Sequence, residues 1–257
     1  MDKLVQHIIE AYRDHPSIIA IKNQDNLVDN QIFEFREVSV GEVNKLLHSL
    51  DEHKSTGEDQ LSPKLIKLAA NVLDVPIAKA INASIFERTF PDRAKMAAVP
   101  LYKGDNRALA KNYRPVSILN TISKIYEKAL KQQIVPFIEK LISVFLSAYR
   151  KNHSPQHVLI RLLEEWRSNL DNDFVVGALL IDLSKAFDSI PHDLLIAKLG
   201  AYGFSKDSLA YLYTYLKGRK QAVRIKNVYS KYLTILSGVP QGSILGPILF
   251  NVFINDL

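Results

Sequence analysis

The sequence contains no cysteine. Disulfide crosslinks, thiol catalysis and cysteine-based structural zinc are excluded together. Long hydrophobic runs are missing too. The most apolar stretch, Ile244 to Ile254, is broken by Gly246, Pro247 and Asn251, and it is too short to span a bilayer. The opening segment, Met1 to His15, carries Asp2, Lys3, Glu10, Arg13 and Asp14, which does not suit a signal peptide. Internal repeats and low-complexity segments are also lacking. These absences lead to the expectation of a soluble, intracellular protein with no membrane partner, nucleus or cytoplasm left open. What is present is ordinary globular composition: 47% hydrophobic and 23% charged residues in a chain of 257, enough for one large domain or two modest ones. The formal net charge is +6, an excess that suits a nucleic-acid partner without requiring one.

Helical periodicity dominates the first 90 residues. Leu4, Val5, Ile8, Ile9 and Tyr12 share one face, and Pro16 follows. Ser39-Val40-Gly41-Glu42 reads as a capping box ahead of Val43, Leu46, Leu47 and Leu50. Ser62-Pro63 marks another helix start, continued by Leu65, Ile66, Ala69, Ala70 and Leu73. Ile77 to Ile85 suggests a further helix, closed by Phe90-Pro91. A strand is expected over Met96 to Tyr102, turning at Gly104-Asp105. Long helices are expected from Asn120 to Leu141 and from Gln156 to Leu170, the latter with Leu159, Leu162, Leu163 and Trp166 inward. Phe174 to Ile181 reads as a buried central strand. Helices over Asp193 to Leu199 and Lys206 to Leu216, strands over Val223 to Lys226 and Lys231 to Leu236, and a helix from Gly242 to Leu257 complete the pattern. The fold class is α+β, a small sheet packed with several helices.

Three segments carry chemistry. In "LLIDLSKAFDSIPHDLL" an apolar strand delivers Asp182 at its end. A buried carboxylate there needs a partner or a cation, and Mg²⁺ prefers carboxylate oxygen; a solvent-facing strand-end aspartate is an equal reading. Asp188, ahead of Ser189-Ile190-Pro191, suits a turn or cap instead. In "SGVPQGSILGPILFNVFINDL", Gly238, Pro240 and Gly242 shape a loop before an apolar helix, where amides favour anionic groups and Gln241 offers both a donor and an acceptor. An ordinary turn before a helix competes with that reading. In "VPLYKGDNRALAKNYRPVSILNTISKIYEK", Lys103 and Arg114 are fixed cations able to hold a triphosphate, or else part of a solvated basic loop.

Taken together and in order, these segments resemble the reverse transcriptases of non-LTR (LINE-like) retrotransposons from about His53 to Leu257. "KSTGEDQLSPKLIK" is similar to that family's entry segment, "VPLYKGD" with "NYRPVSIL" to its fingers motif, "IDLSKAFDSIPH" to its first palm motif, and "GVPQGSILGPILFNVFINDL" to the loop and helix that follow. The resemblance implies a right-hand polymerase plan: an N-terminal helical lead-in over 1–53, a fingers-like region over 54–173 and a partial palm over 174–257. It implies an RNA-directed DNA polymerase working with an RNA template, a DNA primer and dNTP. Asp182, helped by the carbonyl of Leu183, would ligate Mg²⁺. Phe187 would lie beneath the sugar of the incoming nucleotide and exclude a 2′-hydroxyl. Lys103 and Arg114 would hold its triphosphate, and Gln241 and Gly242 would touch nucleotide and template.

Ala94, Ala148 and Pro155 depart from the residues usual in the family. The family's aromatic-x-Asp-Asp motif does not follow "INDL", whose Asp256 is not part of that pair. The chain is therefore expected to be the front of such a domain, truncated before the second half of its active site, with little or no activity alone. A non-catalytic nucleic-acid-binding module, or a non-functional element remnant, is the competing expectation. The group II intron maturases share the polymerase plan, but the wording of the palm motif favours the retrotransposon type.

Overall fold

The computed structural model describes residues 1–24, 31–54, 56–57, 59–91, 97–98, 100–102, 104, 106–109, 112–183, 185–225 and 228–257, with the backbone alone at 97, 98, 100, 101, 114 and 115. Among them are ten helices and seven short strands, in the α+β manner expected.

The first two helices are α1 (Asp2–Ala11) and α2 (Pro16–Lys22). Pro16 does not simply end a helix: it opens α2 at a first-turn position where no amide partner is required, and the ring of His15 accepts from the amide of Ser17. The capping box ahead of α3 (Val40–His48) forms in full, Ser39 accepting from the Glu42 amide and Glu42 from the Ser39 amide. Hydrogen bonds from Arg36 hold the Glu42 carboxyl down at about 2. Ser62 caps α4 (Pro63–Leu68), and α5 (Ala70–Phe86) runs through Pro76. Expected as two separate helical stretches, 62–73 and 77–85 divide instead at Ala69.

The long helix appears as α6 (Thr121–Ile138). The core gathers α1, α2, α3, α5 and α6 around α8 (His192–Ala201) and α9 (Lys206–Leu216), with Phe90, Leu130, Tyr211 and Tyr215 fully enclosed. Two extended-chain hydrogen bonds stitch Phe33 to the turn after α8: its amide donates to the Gly203 carbonyl and its carbonyl accepts from Ser205, both at 2.8 Å. The last helix, α10 (Gly246–Ile254), begins four residues later than expected. A buried ion pair, Lys198 with Asp256, fixes its far end against α8.

The sheets are small. β1 (Ala97–Ala98) lies parallel to β4 (Lys220–Ala222), which pairs antiparallel with β7 (Leu233–Thr234). β2 (Pro100–Tyr102) pairs antiparallel with β3 (Tyr113–Pro115), placing Leu101 opposite Arg114. β5 (Arg224–Ile225) and β6 (Val228–Tyr229) form a separate ribbon. The strands expected over Val223 to Lys226 and Lys231 to Leu236 are present but shorter and more exposed than their alternation suggests.

Two expectations fail. Phe174 to Ile181 is neither buried nor a strand: Val175 is 97% exposed and Leu180 91%. A central strand needs neighbours for its amides and carbonyls and cover on both faces, and no described element supplies either. Helix α7 (Pro155–Asp171) forms, yet none of its residues is buried. Leu162 and Trp166 are half-covered, whereas Leu159 and Leu163 face solvent. An amphipathic stripe specifies which face seeks cover, not whether cover exists. No helix among the described residues is long and apolar enough to cross a membrane.

Candidate functional site

The site is assembled where three segments meet: the turn at 185–191, the loop at 237–243 and the extended chain just after β3. The turn closes when the amides of Asp188 and Ser189 donate to the Lys185 carbonyl at 2.9 and 3.2 Å. The loop lies against it. The amide of Gly238 donates to the Ile190 carbonyl at 2.7 Å, and that of Val239 to the Phe187 carbonyl at 2.8 Å. Glycine is required at 238 for two reasons. Its φ is +86°, and a Cβ would meet the backbone of Asp188 at 2.7 Å.

Asp188 then binds Gln241. The side-chain amide of Gln241 donates to both carboxylate oxygens, at 2.9 and 3.0 Å. On the other side, the Gln241 carbonyl accepts from the Ser117 amide at 2.7 Å. Gly242, at φ +101°, passes so close to the Ser117 carbonyl that a Cβ would lie 2.7 Å from it. A cleft of about 240 Å³ opens at this junction, lined by Ser117, Asp188, Arg219, Ser237 and Gln241 among others. A second cleft of similar size, bordered by Glu34, Asn82, Arg88, Asp207 and Tyr211, shares none of these residues.

Phe187 sits on a ring platform. Phe250 of α10 stacks on it at 4.6 Å, nearly parallel, and Tyr149 meets it edge-on at 5.7 Å. The loop continues into α10 through Ser243, whose hydroxyl donates to the Pro240 carbonyl and accepts from the Gly246 amide. The amides of Ile244 and Leu245 are taken by the carboxylate of Glu127, which reaches across from α6. That hold explains why the helix starts at Gly246 and not at Gly242.

His192 supports the loop from beneath. Its Nε2 lies 2.7 Å from the Gly238 carbonyl; a carbonyl only accepts, so this nitrogen donates. Burial pushes its pKa below the ordinary histidine range, with Lys217 and Arg219 adding to that and the Gly238 carbonyl and Asp193 opposing it. The folded value is thus below the unfolded one, about 6.5. The stability this ring contributes is intact above about pH 6.5 and is lost as pH falls through the folded value. Urea midpoints at pH 7.5 and 5.0 should fall further for the wild type than for His192→Phe; equal falls would show that His192 does not carry this pH dependence.

The residues picked out from the sequence divide as follows. Phe187, Gln241 and Gly242 are brought together by the turn–loop contact. Asp182 and Leu183 lie on the exposed segment just before it, and Asp182 is not the end of a buried strand. Arg114 is placed by its backbone alone, opposite Leu101. Lys103 lies outside the described residues, as does Ala94. Of the other departures, the Ala148 carbonyl accepts from the Asn251 side chain, and Pro155 opens α7. Asp188 does sit in a turn, as its sequence neighbours indicate, but its carboxylate serves Gln241, 53 residues away. Glu127 gave no sequence signal beyond a charged residue in a helical run.

The family model described as reverse transcriptase (RNA-dependent DNA polymerase) matches residues 101–257, a span that holds every residue of this junction. The chain belongs to that family. Among curated relatives, the chain is 30% identical over 226 residues to "Probable RNA-directed DNA polymerase from transposon BS" of Drosophila melanogaster, covering 86% of this chain and 25% of that protein. It is 27% identical to "Probable RNA-directed DNA polymerase from transposon X-element" of the same organism, covering 91% of this chain and 26% of that one. It is 29% identical to "RNA-directed DNA polymerase from mobile element jockey", again from Drosophila melanogaster, with coverages of 86% and 24%. This reverse transcriptase chain thus spans about a quarter of the length of these relatives. The resemblance to retrotransposon reverse transcriptases read from the motifs is borne out. Coverage of 91% also carries the similarity into the region ahead of residue 101, beyond the family match.

Proposed function

We propose that this chain is the nucleotide- and template-facing part of an RNA-directed DNA polymerase, with a fingers-like region over 54–173 and part of a palm over 174–257, preceded by a helical lead-in over 1–53. One observation carries the reading. The Asp188–Gln241 bond joins the turn bearing Phe187 to the loop bearing Gln241 and Gly242, so the residues assigned to one nucleotide move as a unit. Fixed geometry of this kind lets binding orient a reacting group. In this reading Phe187 lies beneath the deoxyribose, Gln241 and Gly242 border the new base pair, and Lys103 and Arg114 hold the triphosphate. The partners are an RNA template, a DNA primer and dNTP.

Mg²⁺ comes with the family, and Asp182 with the Leu183 carbonyl is the share of its site that this chain offers. Two-metal phosphoryl transfer needs several carboxylates converging on ions about 3.5–4 Å apart. Among the described residues no group of three histidine or acidic side chains could hold such an ion, so these residues do not by themselves complete the site. What the chain's own residues provide is binding, orientation and sugar selection.

The test is primer extension on an RNA template by a full-length protein carrying this segment. Extension with dNTP that Asp182→Ala reduces to background is expected. An active protein indifferent to Asp182→Ala would overturn the assignment. The competing reading is a non-catalytic nucleic-acid-binding module. It predicts salt-dependent binding of an RNA–DNA duplex with no extension in any longer form.

A further inference from the structure

Glu127 stands apart from every residue that the motifs single out. It lies in the interior of α6, is 1% exposed, and its carboxylate receives three donors from two other elements. Oε1 accepts from the Tyr215 hydroxyl of α9 at 3.0 Å. Oε2 accepts from the amides of Ile244 and Leu245 at 2.5 and 3.1 Å. Those two amides belong to the start of α10, where the N-cap residue, Leu245, has no side-chain acceptor of its own. The first amides of a helix have no partner within the helix, and a negative group there also meets the positive end of the helix dipole. Glu127 therefore holds, from 117 and 118 residues away, the two amides just ahead of α10, while Ser243 holds the amide of Gly246 locally.

The consequence reaches the site because only Ser243 separates Gly242 from the first of the amides that Glu127 holds. The loop from Gly238 to Ser243 is anchored at its start by the turn at 187–190, in its middle by Ser117 and Asp188, and at its end by Glu127. Arg219, 2% exposed, supplies the opposing charge. Its guanidinium lies over the Tyr215 ring at 5.0 Å, while Nε and Nη2 find no hydrogen-bond partner among the described atoms. A guanidinium buried with so few bonds is accounted for by the carboxylate whose charge it balances.

We infer that Glu127 is a positioning residue for template and nucleotide binding: through the amides of Ile244 and Leu245, just ahead of α10, it sets where Gln241 and Gly242 stand. This rests on the polymerase reading above, and it makes a buried acid of the fingers-like region part of the apparatus that grips the new base pair.

The test separates positioning from mere stability. Glu127→Gln keeps an oxygen for the two amides but removes the charge that balances Arg219. The double variant Glu127→Leu with Arg219→Met keeps the charge balanced but removes the acceptor. For each, the dissociation constant for an RNA-template/DNA-primer duplex is measured on this chain, alongside the urea midpoint and hydrogen exchange at the amides of 241–246. Positioning predicts that binding follows the acceptor. Glu127→Gln stays within about threefold of wild type even where its midpoint drops. The double variant binds about tenfold more weakly, the scale of a lost helix cap, with exchange at 241–246 accelerated beyond what its fall in midpoint accounts for. Binding that tracks the midpoint across both variants overturns the inference. If wild type binds no duplex at low salt, the polymerase reading falls. The inference about Glu127 is then decided by exchange alone: unchanged exchange at 241–246 in the double variant overturns it, and acceleration confined to those amides upholds the anchoring.

Discussion

Glu127→Leu alone is expected to cost about 3–5 kcal/mol of folding stability, the size seen when one member of a buried charged pair is removed. The loss has two parts. The amides of Ile244 and Leu245 and the Tyr215 hydroxyl lose their acceptor, the first in a part-buried and the other two in a buried setting, and an orphaned buried group costs about 1–3 kcal/mol. The guanidinium of Arg219, already short of partners, loses the charge opposite it. Adding Arg219→Met should recover the part of the deficit that comes from the uncompensated guanidinium, because removing both charges costs less than leaving one buried alone; the part from the orphaned donors stays. A double-mutant cycle read by urea unfolding checks this. A double-variant cost well below the sum of the two single costs is expected, whereas simple additivity would show that the two charges are independent. The Glu127 carboxyl is pushed upward by burial, with the Arg219 charge, the two amides and Tyr215 pulling the other way. That balance is why the residue tolerates being enclosed.

The second large effect concerns sugar selection. In a polymerase-active protein carrying this segment, Phe187→Ala should raise ribonucleotide incorporation relative to deoxyribonucleotide on the order of 10- to 100-fold, the range over which a filled or emptied patch of apolar surface discriminates substrates. Extension with dNTP should persist, since the ring excludes a hydroxyl and takes no part in bond making. The ring's setting adds a graded expectation. Phe250 stacks beneath Phe187 and Tyr149 closes its edge, so Phe250→Ala loosens the ring without deleting it and should give a smaller rise in the same ratio. Incorporation ratios from single-nucleotide extension measure both variants. An unchanged ratio in an active Phe187→Ala protein removes Phe187 from the gate role.

These two predictions draw on different layers of information. Phe187 belongs to a contiguous motif, and the part proposed for it comes from "KAFD" through the family resemblance. Glu127 was not readable, because its meaning depends on backbone amides more than a hundred residues downstream. The same contrast runs through the fold. Ser39 and Glu42 form their capping box as written, and Ser62 caps the helix opened by Pro63, because the donors and acceptors lie within four residues of one another. Asp188 was legible only as a turn residue; its bond to Gln241 spans 53 positions. Strand β3 was missed since it holds only three residues and acquires its definition from pairing with β2. The errors over Phe174 to Ile181 and over α7 share one cause. An apolar pattern records a preference for cover, and cover is a property of neighbours.

The sequence by itself determined the class of elements, most helix starts, the family and the order of its motifs, because these rest on local hydrogen bonding and on side-chain periodicity. Only the tertiary structure decided which acid anchors the loop at 237–243, which amide its glutamine meets and which apolar faces find partners. Those outcomes depend on groups brought together across long chain separations, where spacing along the sequence carries no information about distance.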